Sequence, residues 1–565
     1  MKKNYLTILF ICAILISNAQ EEEYLWAVQM GDTGDAERSM SITTDASGNV
    51  YTTGTFNGTV DFDPGTGVHN LSNPGTIFIQ KLDQDGNFLW AKQTQGGFGI
   101  GRSITTDANG NIYITGNYSG TVDFDPSTSI QNSTSVGNRQ DIFIQKLDTD
   151  GNFLWAKQMG GLADGDIGYS ITTDASGNVY TTGAFTRTVD FDPGVGEQNI
   201  TSLGLSDIFI QKLDTDGNFL WAKQIGGAGS QIATSNATDS NGNIYTTGSF
   251  NSTVDFDPSA GVQSFTAQGT DIFIQKLSGN GSFIWAKHIK GEGLKSVNDL
   301  TIDRNGNIYT TGDFWNTVDF DPGPGVVNLT PIGNSDIFIQ KLNSEGNFLW
   351  AKHMGSVGFF NKGRSITTDN DADIYTTGDF WNTVDFDPGS GIQNLTSAAF
   401  SQDIFIQKLD PNGNFIWAKK MGGIRIDRCL SITSDTRGNI FTTGTFERTV
   451  DFDPDEGIQN FTSNGNRDIF IQKLGQNTTL GVSENGPDPK YYFYPNPTSG
   501  QFNVSFESVL TEIKLDIIDV HGRIIDSYIY QNTKNLNLDF NYNAGIYFIK
   551  IETPKGKITT SFIKK

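Results

Sequence analysis

The sequence predicts an all-β chain, a repeated four-strand unit followed by a small, separate β module. Three observations predict it. Only 18% of the 565 residues are charged, while Gly reaches 65 and Phe 40. That composition suits strands and turns and not a helical bundle, which draws on Ala, Glu, Lys and Leu. Four short runs each recur seven times, the Trp of one of them at spacings of 64 to 67 residues. After Leu474 the recurrence stops and a different alternation begins.

The chain opens on an address. Lys2 and Lys3 precede an apolar run, Leu6 to Ile16, and Ser17-Asn18-Ala19 places small residues where a signal peptidase reads. Residues 1–19 are expected to be a signal peptide, cut between Ala19 and Gln20. The run is too short to span a bilayer, and no later stretch is long enough, so no transmembrane segment is expected. Cys12 follows Ile11, where a lipid-anchor signal wants a small residue, so it is not read as an anchor. The exported chain then keeps only Cys429, expected to be buried and inert. Two Cys exclude a disulfide scaffold, and four His make a His-rich metal site unexpected. The formal net charge of -24 repels nucleic acid and anionic lipid. That acidity lies between residues 20 and 490, because residues 491–565 carry eight Lys+Arg against seven Asp+Glu.

Each repeat holds four runs. In the first copy strand a is near Ser41–Thr44, strand b near Asn49–Thr55, strand c near Ile77–Leu82 and strand d near Asn87–Gln93. Asp45-Ala46-Ser47-Gly48 joins a to b and Asp83-Gln84-Asp85-Gly86 joins c to d. Both are hairpin turns with a Gly placed for the left-handed conformation. Strand c, Asp-Ile-Phe-Ile-Gln-Lys-Leu, is apolar nearly throughout, as for a sheet covered on both faces. Radially stacked four-strand units are the blades of a β-propeller. The first recognisable strand is a lone d, Leu25–Met30, and the last repeat stops after its c, Asp468–Leu474. The N-terminal strand is therefore expected to complete the last blade, giving a closed seven-bladed propeller over residues 20–474 with no open edge.

The pattern Asp-x-x-Gly-Asn-x-Tyr-x-Thr-Gly, then Asp-Ile-Phe-Ile-Gln-Lys-Leu-Asp-x-x-Gly-Asn, resembles the bacterial seven-bladed β-propeller (SBBP) repeat. That resemblance implies a fold and extracellular settings, but no reaction. Residues 475–490 are polar, with Gly and Pro, and read as a linker. Residues 491–565 open with Tyr494-Pro495-Asn496-Pro497-Thr498-Ser499-Gly500 and continue through Leu515 to Arg523, with His521-Gly522, and through Ala544-Gly545-Ile546-Tyr547 to a closing Lys564-Lys565. Their alternation reads as a small β-sandwich. This module resembles the type A C-terminal sorting domain of the type IX secretion system of Bacteroidota, with Pro495, Asn496, Pro497, Gly500, Gly522 and Gly545 among the residues that carry the likeness. The resemblance implies recognition by the type IX machinery, passage across the outer membrane, and release or attachment at the cell surface.

In a propeller the d–a and b–c loops share one face, and here they are the longer, more varied loops. Binding would be built there. Asp-Phe-Asp-Pro recurs seven times in the b–c loops, from Asp61 to Asp451. Its paired carboxylates suggest Ca²⁺, the one cofactor considered, but two are too few for an ion that takes six to eight oxygens. Turn-initiating Asp, with the Phe packed between blades, explains the motif more simply. Asp-x-Asp-Gly-Asn between c and d, as at Asp148–Asn152, is read the same way. Arg38, Arg102, Arg364 and Arg428 stand at the entry to strand a, either to ring a channel mouth and hold a carboxylate or sulfate, or to pair with neighbouring Asp. His288 and His353 fill the place of Gln93, Gln158 and Gln224 and read as ordinary strand residues. Trp315 and Trp381 are set to stack on sugar rings or to pack between blades. No nucleotide loop, zinc spacing or nucleophile elbow appears. The expectation is a non-enzymatic secreted or surface propeller that binds an extracellular protein or glycan. Its rivals are a polysaccharide hydrolase or lyase and a structural surface component.

Overall fold

The computed structural model describes residues 22–32, 37–163, 165–398, 401–475, 491–494, 498, 500–519, 523–553 and 556–565. They form two compact units divided after Gly475. The expected cleavage site at Ala19 and Gln20, residues 476–490 of the expected linker, Pro495 to Pro497 and Gly522 lie outside the described residues.

The first unit contains seven sets of four antiparallel strands in the order a-b-c-d. The first set is Arg38–Thr44, Val50–Asp61, Asn70–Leu82 and Phe88–Gln93. The seventh is Arg428–Ser434, Ile440–Phe446 and Asp468–Gly475, with Glu23–Met30 as its fourth strand. Glu23–Met30 runs antiparallel to Asp468–Gly475, Val28 opposite Ile471.

Alternation along strand c explains how the sheets stack. Ile77 and Ile79 pack in one cluster with Tyr118, Phe124 and Phe143 of the second sheet. Phe78, between them, faces the other way and packs with Ile469 and Ile471 of the seventh. Neighbouring side chains point to opposite faces of a strand, so each sheet buries one face against each neighbour. Such side chains contribute about 1.5–3 kcal/mol each on full burial.

The sequence predicts four strands per repeat; the structure adds a short hairpin between b and c. In the second repeat it pairs Thr121–Asp123 with Asn132–Thr134. These arms span only three residues, too few for periodicity to register. In the first repeat the hairpin is continuous with strands b and c, which run on to Asp61 and back from Asn70.

Strand a carries a bulge at one place in all seven sheets, as between Gly101 and Ser103. The bulge drives a carbonyl towards strand b. A Cβ on Gly116 would lie 1.9 Å from the Ile100 oxygen, which is why Thr-Gly recurs in strand b. Past the bulge, each strand a bonds to its neighbour. Ser41 Oγ accepts the Ile104 amide, Ser103 accepts Ile171, Ser170 accepts Asn236 and Ser235 accepts Leu300, at 3.2 to 3.3 Å. Asp299 Oδ2 stands in for Ser and accepts Ile366, Ser365 accepts Ile432, and Ser431 accepts Ile42 of the first sheet.

The second unit corrects one expectation. The sequence predicts a sandwich, but Tyr491–Tyr494, Gln501–Ile518, Ile524–Asp539, Gly545–Thr553 and Gly556–Lys564 form a single five-stranded sheet. One long strand serves both halves. Its first part pairs with Tyr491–Tyr494 and its last part with Gly545–Thr553, while Ile524–Asp539 follows its other edge. A register shift between Ser505 and Leu510 breaks that second ladder. The sheet gathers Phe502, Val504, Ile513, Leu515, Leu538, Phe540, Ile549 and Phe562 into one core. Alternation shows which residues face inwards; it cannot count the sheets.

Candidate functional site

The repeated Asp-Phe-Asp-Pro motif is built into the loop backbone. Asp123 Oδ1 accepts the amides of Asp125 and Gln131, and Asp125 Oδ1 accepts that of Ser127. The Phe packs at a tilt against the strand c Phe of its own sheet in all seven copies, with ring centroids 4.8 to 5.1 Å apart. Among the described residues no three His, Cys, Asp or Glu side chains converge as a metal cage. In Asp148–Asn152 the first carboxylate accepts the Asp150 and Asn152 amides and the Asn152 side chain. Burial opposes ionisation there, yet these bonds hold the Asp148 carboxyl below its usual range.

His288 and His353 contact the buried carboxylates of Asp271 and Asp336, at 2.7 and 2.8 Å. Gln158 and Gln224 donate to Asp141 and Asp207 in the same way. Cys429 is fully buried, and burial pushes its thiol up to about 12.

The four arginines do not occupy one equivalent position. Arg102 and Arg364 sit in the strand a bulge, whereas Arg38 and Arg428 pair opposite Thr55 and Thr445, before it. Arg102 donates to Asn117 Oδ1 at 2.8 Å and lies over the Tyr169 ring. Arg364 bonds the buried carboxylate of Asp379, whose other oxygen accepts Gln402 at 2.9 Å. Arg428 donates to the Gln402 amide oxygen, at 3.3 Å. Burial lowers its pKa, and Arg364, Arg467 and Arg38 lower it further against the pull of Asp379. Arg38 and Arg364 thus both lie within electrostatic reach of Arg428, with Arg102 on the second sheet.

One departure from repeat symmetry lies around the fifth sheet. A cleft of about 1080 Å³ opens between loops of the fourth, fifth and sixth repeats. Its aromatic wall is Trp315, half-buried, and Phe360, 47% exposed, with ring centroids 6.4 Å apart. Its polar lining includes Gln268, Asn316, Asn328, Asn334, Thr317 and Thr330. Lys290, Glu292 and Asp319 complete it with mixed charge. Several of these residues break the repeat. Lys290 stands where other copies have Gly160, Gly226, Gly355 and Gly422, and Trp315 where others have Asn57, Ser119, Thr186, Asn251 and Glu447, the sixth repeat alone matching it with Trp381. The cleft loops are pinned: the Trp315 amide donates to Leu294 O, Asn334 Nδ2 to Gly358 O, and the Thr317 and Thr330 hydroxyls are 2.8 Å apart. Trp381 stacks on Phe359 at 5.9 Å. The loop 355–361 thus carries one Phe towards each Trp. Sequence reasoning singled out both tryptophans but missed the cleft, whose signal was the unrepeated Phe359-Phe360 pair. It missed as well that Val68, Ile130, Val262, Val326, Ile392 and Ile458, at equivalent hairpin tips, are 69 to 79% exposed.

Comparison with known proteins adds the following. Residues 90–117, 154–184, 220–254 and 291–313 match the family described as beta-propeller repeat. Residues 492–565 match the family described as secretion system C-terminal sorting domain. An uncharacterized WD repeat-containing protein, L264, of Acanthamoeba polyphaga mimivirus is 28% identical over 49% of this chain and 24% of its own length. The regulatory protein FlaEY of Caulobacter vibrioides is 28% identical over 41% of this chain and 25% of its own. The chain thus spans about a quarter of each relative. A solved fungal alcohol oxidase of the AA5 family, in complex with copper, aligns over 96% of this chain and 99% of its own at 12% identity and a TM-score of 0.38, too low to support an inference. Among the described residues no helix is long and apolar enough to cross a membrane. The sorting domain implies handling by the type IX machinery and export to the medium or the cell surface.

Proposed function

We propose that this chain, which carries β-propeller repeats and a type IX C-terminal sorting domain, is a closed seven-bladed ring displayed or released outside the cell, where it binds an extracellular protein or glycan without chemical turnover. The ring reading rests on the pairing of Glu23–Met30 with Asp468–Gly475 and on the packing of Ile469 and Ile471 against Phe78. The binding reading rests on one observation above all. The repeat is nearly uniform, and several of its departures, Lys290, Trp315 and Phe360 among them, meet in one cleft. A recognition site needs such an asymmetric patch on a rigid scaffold. The exposed aliphatic tips, Val326 on the cleft's own hairpin and its counterparts on the other repeats, supply further contact positions. Turnover would need a nucleophile or acid–base pair in the cleft. Of the two carboxylates in its lining, Asp319 serves the loop backbone, its Oδ1 accepting the Asp321 and Val327 amides, which leaves Glu292 with Lys290.

The test is a binding and turnover screen of the full exported chain against glycan arrays, soluble polysaccharides and defined extracellular proteins. Saturable binding with no released product is the expected result. Release of sugar or of unsaturated product would replace the binding reading with the hydrolase or lyase.

A further inference from the structure

We infer that the Trp315 cleft takes a neutral oligosaccharide chain, its sugar rings lying on Trp315 and Phe360. This deepens the binding reading above and rests on it. A pyranose presents an apolar C–H face and a rim of hydroxyls. A site for it therefore joins an aromatic face to neutral groups that both donate and accept hydrogen bonds. The cleft has that composition. Trp315 and Phe360 form the aromatic wall, and the amides of Asn316, Asn328 and Asn334 sit in the lining with two threonine hydroxyls. Asn316 and Asn328 are exposed, available to a ligand.

Three features select this occupant. A volume of about 1080 Å³ exceeds what a single small metabolite fills and suits several linked rings. The charged lining groups are of both signs, one Lys with one Glu and one Asp, so the cleft offers an acidic polymer no cluster of cations. A net charge of -24 opposes polyanions over the whole surface. The aromatic wall is also pre-formed. The Trp315 amide is tied to Leu294, so little order is lost on binding.

The experiment titrates the full exported chain with cello-, xylo-, manno- and maltohexaose, and with oligogalacturonate and oligoalginate, by calorimetry. At least one neutral hexaose is expected to bind, and the acidic oligomers are not. Trp315→Ala and Asn328→Ala should each weaken that binding ten-fold or more, and Trp315→Phe should restore part of it. Leu203→Ala, 69% exposed in the native chain and distant in sequence, should leave it unchanged. A melting curve for each variant separates lost binding from lost folding. Neutral binding that ignores Trp315→Ala with the fold intact would overturn the cleft assignment and leave the binding reading standing. So would binding confined to acidic oligomers or to a defined protein. Failure of every oligosaccharide to bind would overturn the inference, and sugar release would overturn the binding reading itself.

Discussion

Asp141 and Gly160 show how a buried carboxylate crowds the residue beside it, although the fourth repeat, where Lys295 bonds the carboxylate of Asp271, carries Lys290 at that place. A Cβ on Gly160 would come 2.0 Å from the Asp141 Cγ, and Gly226, Gly355 and Gly422 face Asp207, Asp336 and Asp403 in the same way. The first repeat has Thr76 in place of Asp, and there the glycine becomes Gln95. Gly160→Ala is therefore expected to destabilise the chain by about 1–3 kcal/mol through overpacking. Adding Asp141→Thr should recover much of that loss; chemical denaturation of the two single variants and the double variant measures the coupling. Burial raises the Asp141 carboxyl from 3.8 to about 6, against the bonds from Val136 and Gln158. A carboxyl raised on folding supports stability below its unfolded value, and that support is lost as pH rises through the folded one. Asp141→Asn keeps an oxygen for both donors, which share Oδ2. The variant should match the native chain near pH 4 and exceed it by about 1–3 kcal/mol at pH 8. Melting temperatures across that range check the sign.

At the scale of strands and loops, the N-terminal strand of the seventh sheet carries its own lock. Lys81 and Lys146 donate to the c–d turn of the next sheet, at Thr149 O and Thr215 O, and the Trp155 indole does the same. The seventh sheet has no such turn, because its d strand comes from the N-terminus. Glu22 takes the turn's place. Its carboxylate accepts Lys408, Tyr375 and the Trp417 indole at 2.7 to 2.8 Å. Burial opposes the charge, but these bonds hold the Glu22 carboxyl below its usual range. Its contribution is present above about pH 4.5 and is lost as pH falls through the folded value. Glu22→Gln should cost about 3 kcal/mol at pH 7, and much less at pH 3, read from denaturation midpoints. For the Asp-Phe-Asp-Pro loops, chelator is expected to leave the melting temperature unchanged, since the first carboxylate already serves loop amides. A bound ion at about one hundred times its dissociation constant would add roughly 2.7 kcal/mol per site, so a calcium-dependent rise would be plain. Much of this scale was legible beforehand. Strands a to d and their turns followed from alternation and from Gly spacing, because each repeat restates the same pattern. Glu22 was not legible, since it is a single residue whose partners are 353 to 395 positions away. Nor was the Trp315 cleft, since a repeat shows what copies share and the cleft is made of what they do not.

For the whole molecule, the two units divide the labour: residues up to Gly475 hold the repeats, and the sorting domain follows. A chain ending before Tyr491 is expected to fold its repeats and accumulate in the periplasm. Fractionation of cells expressing it should find it neither on the surface nor in the medium, and full export would refute that division. The pairing of Glu23–Met30 with Asp468–Gly475 has one more consequence. Gln29 bonds Asp468 across 439 positions of chain. The first strand to be synthesised therefore waits for nearly the last residue of the repeats before it finds its partner. Contacts so distant in sequence form slowly, and until they form two strand edges stay open to other chains. Completion of the fold thus becomes a late, all-chain event, reached only after the ribosome has delivered the seventh repeat, and a nascent chain cut short at any earlier repeat keeps a permanent sticky edge.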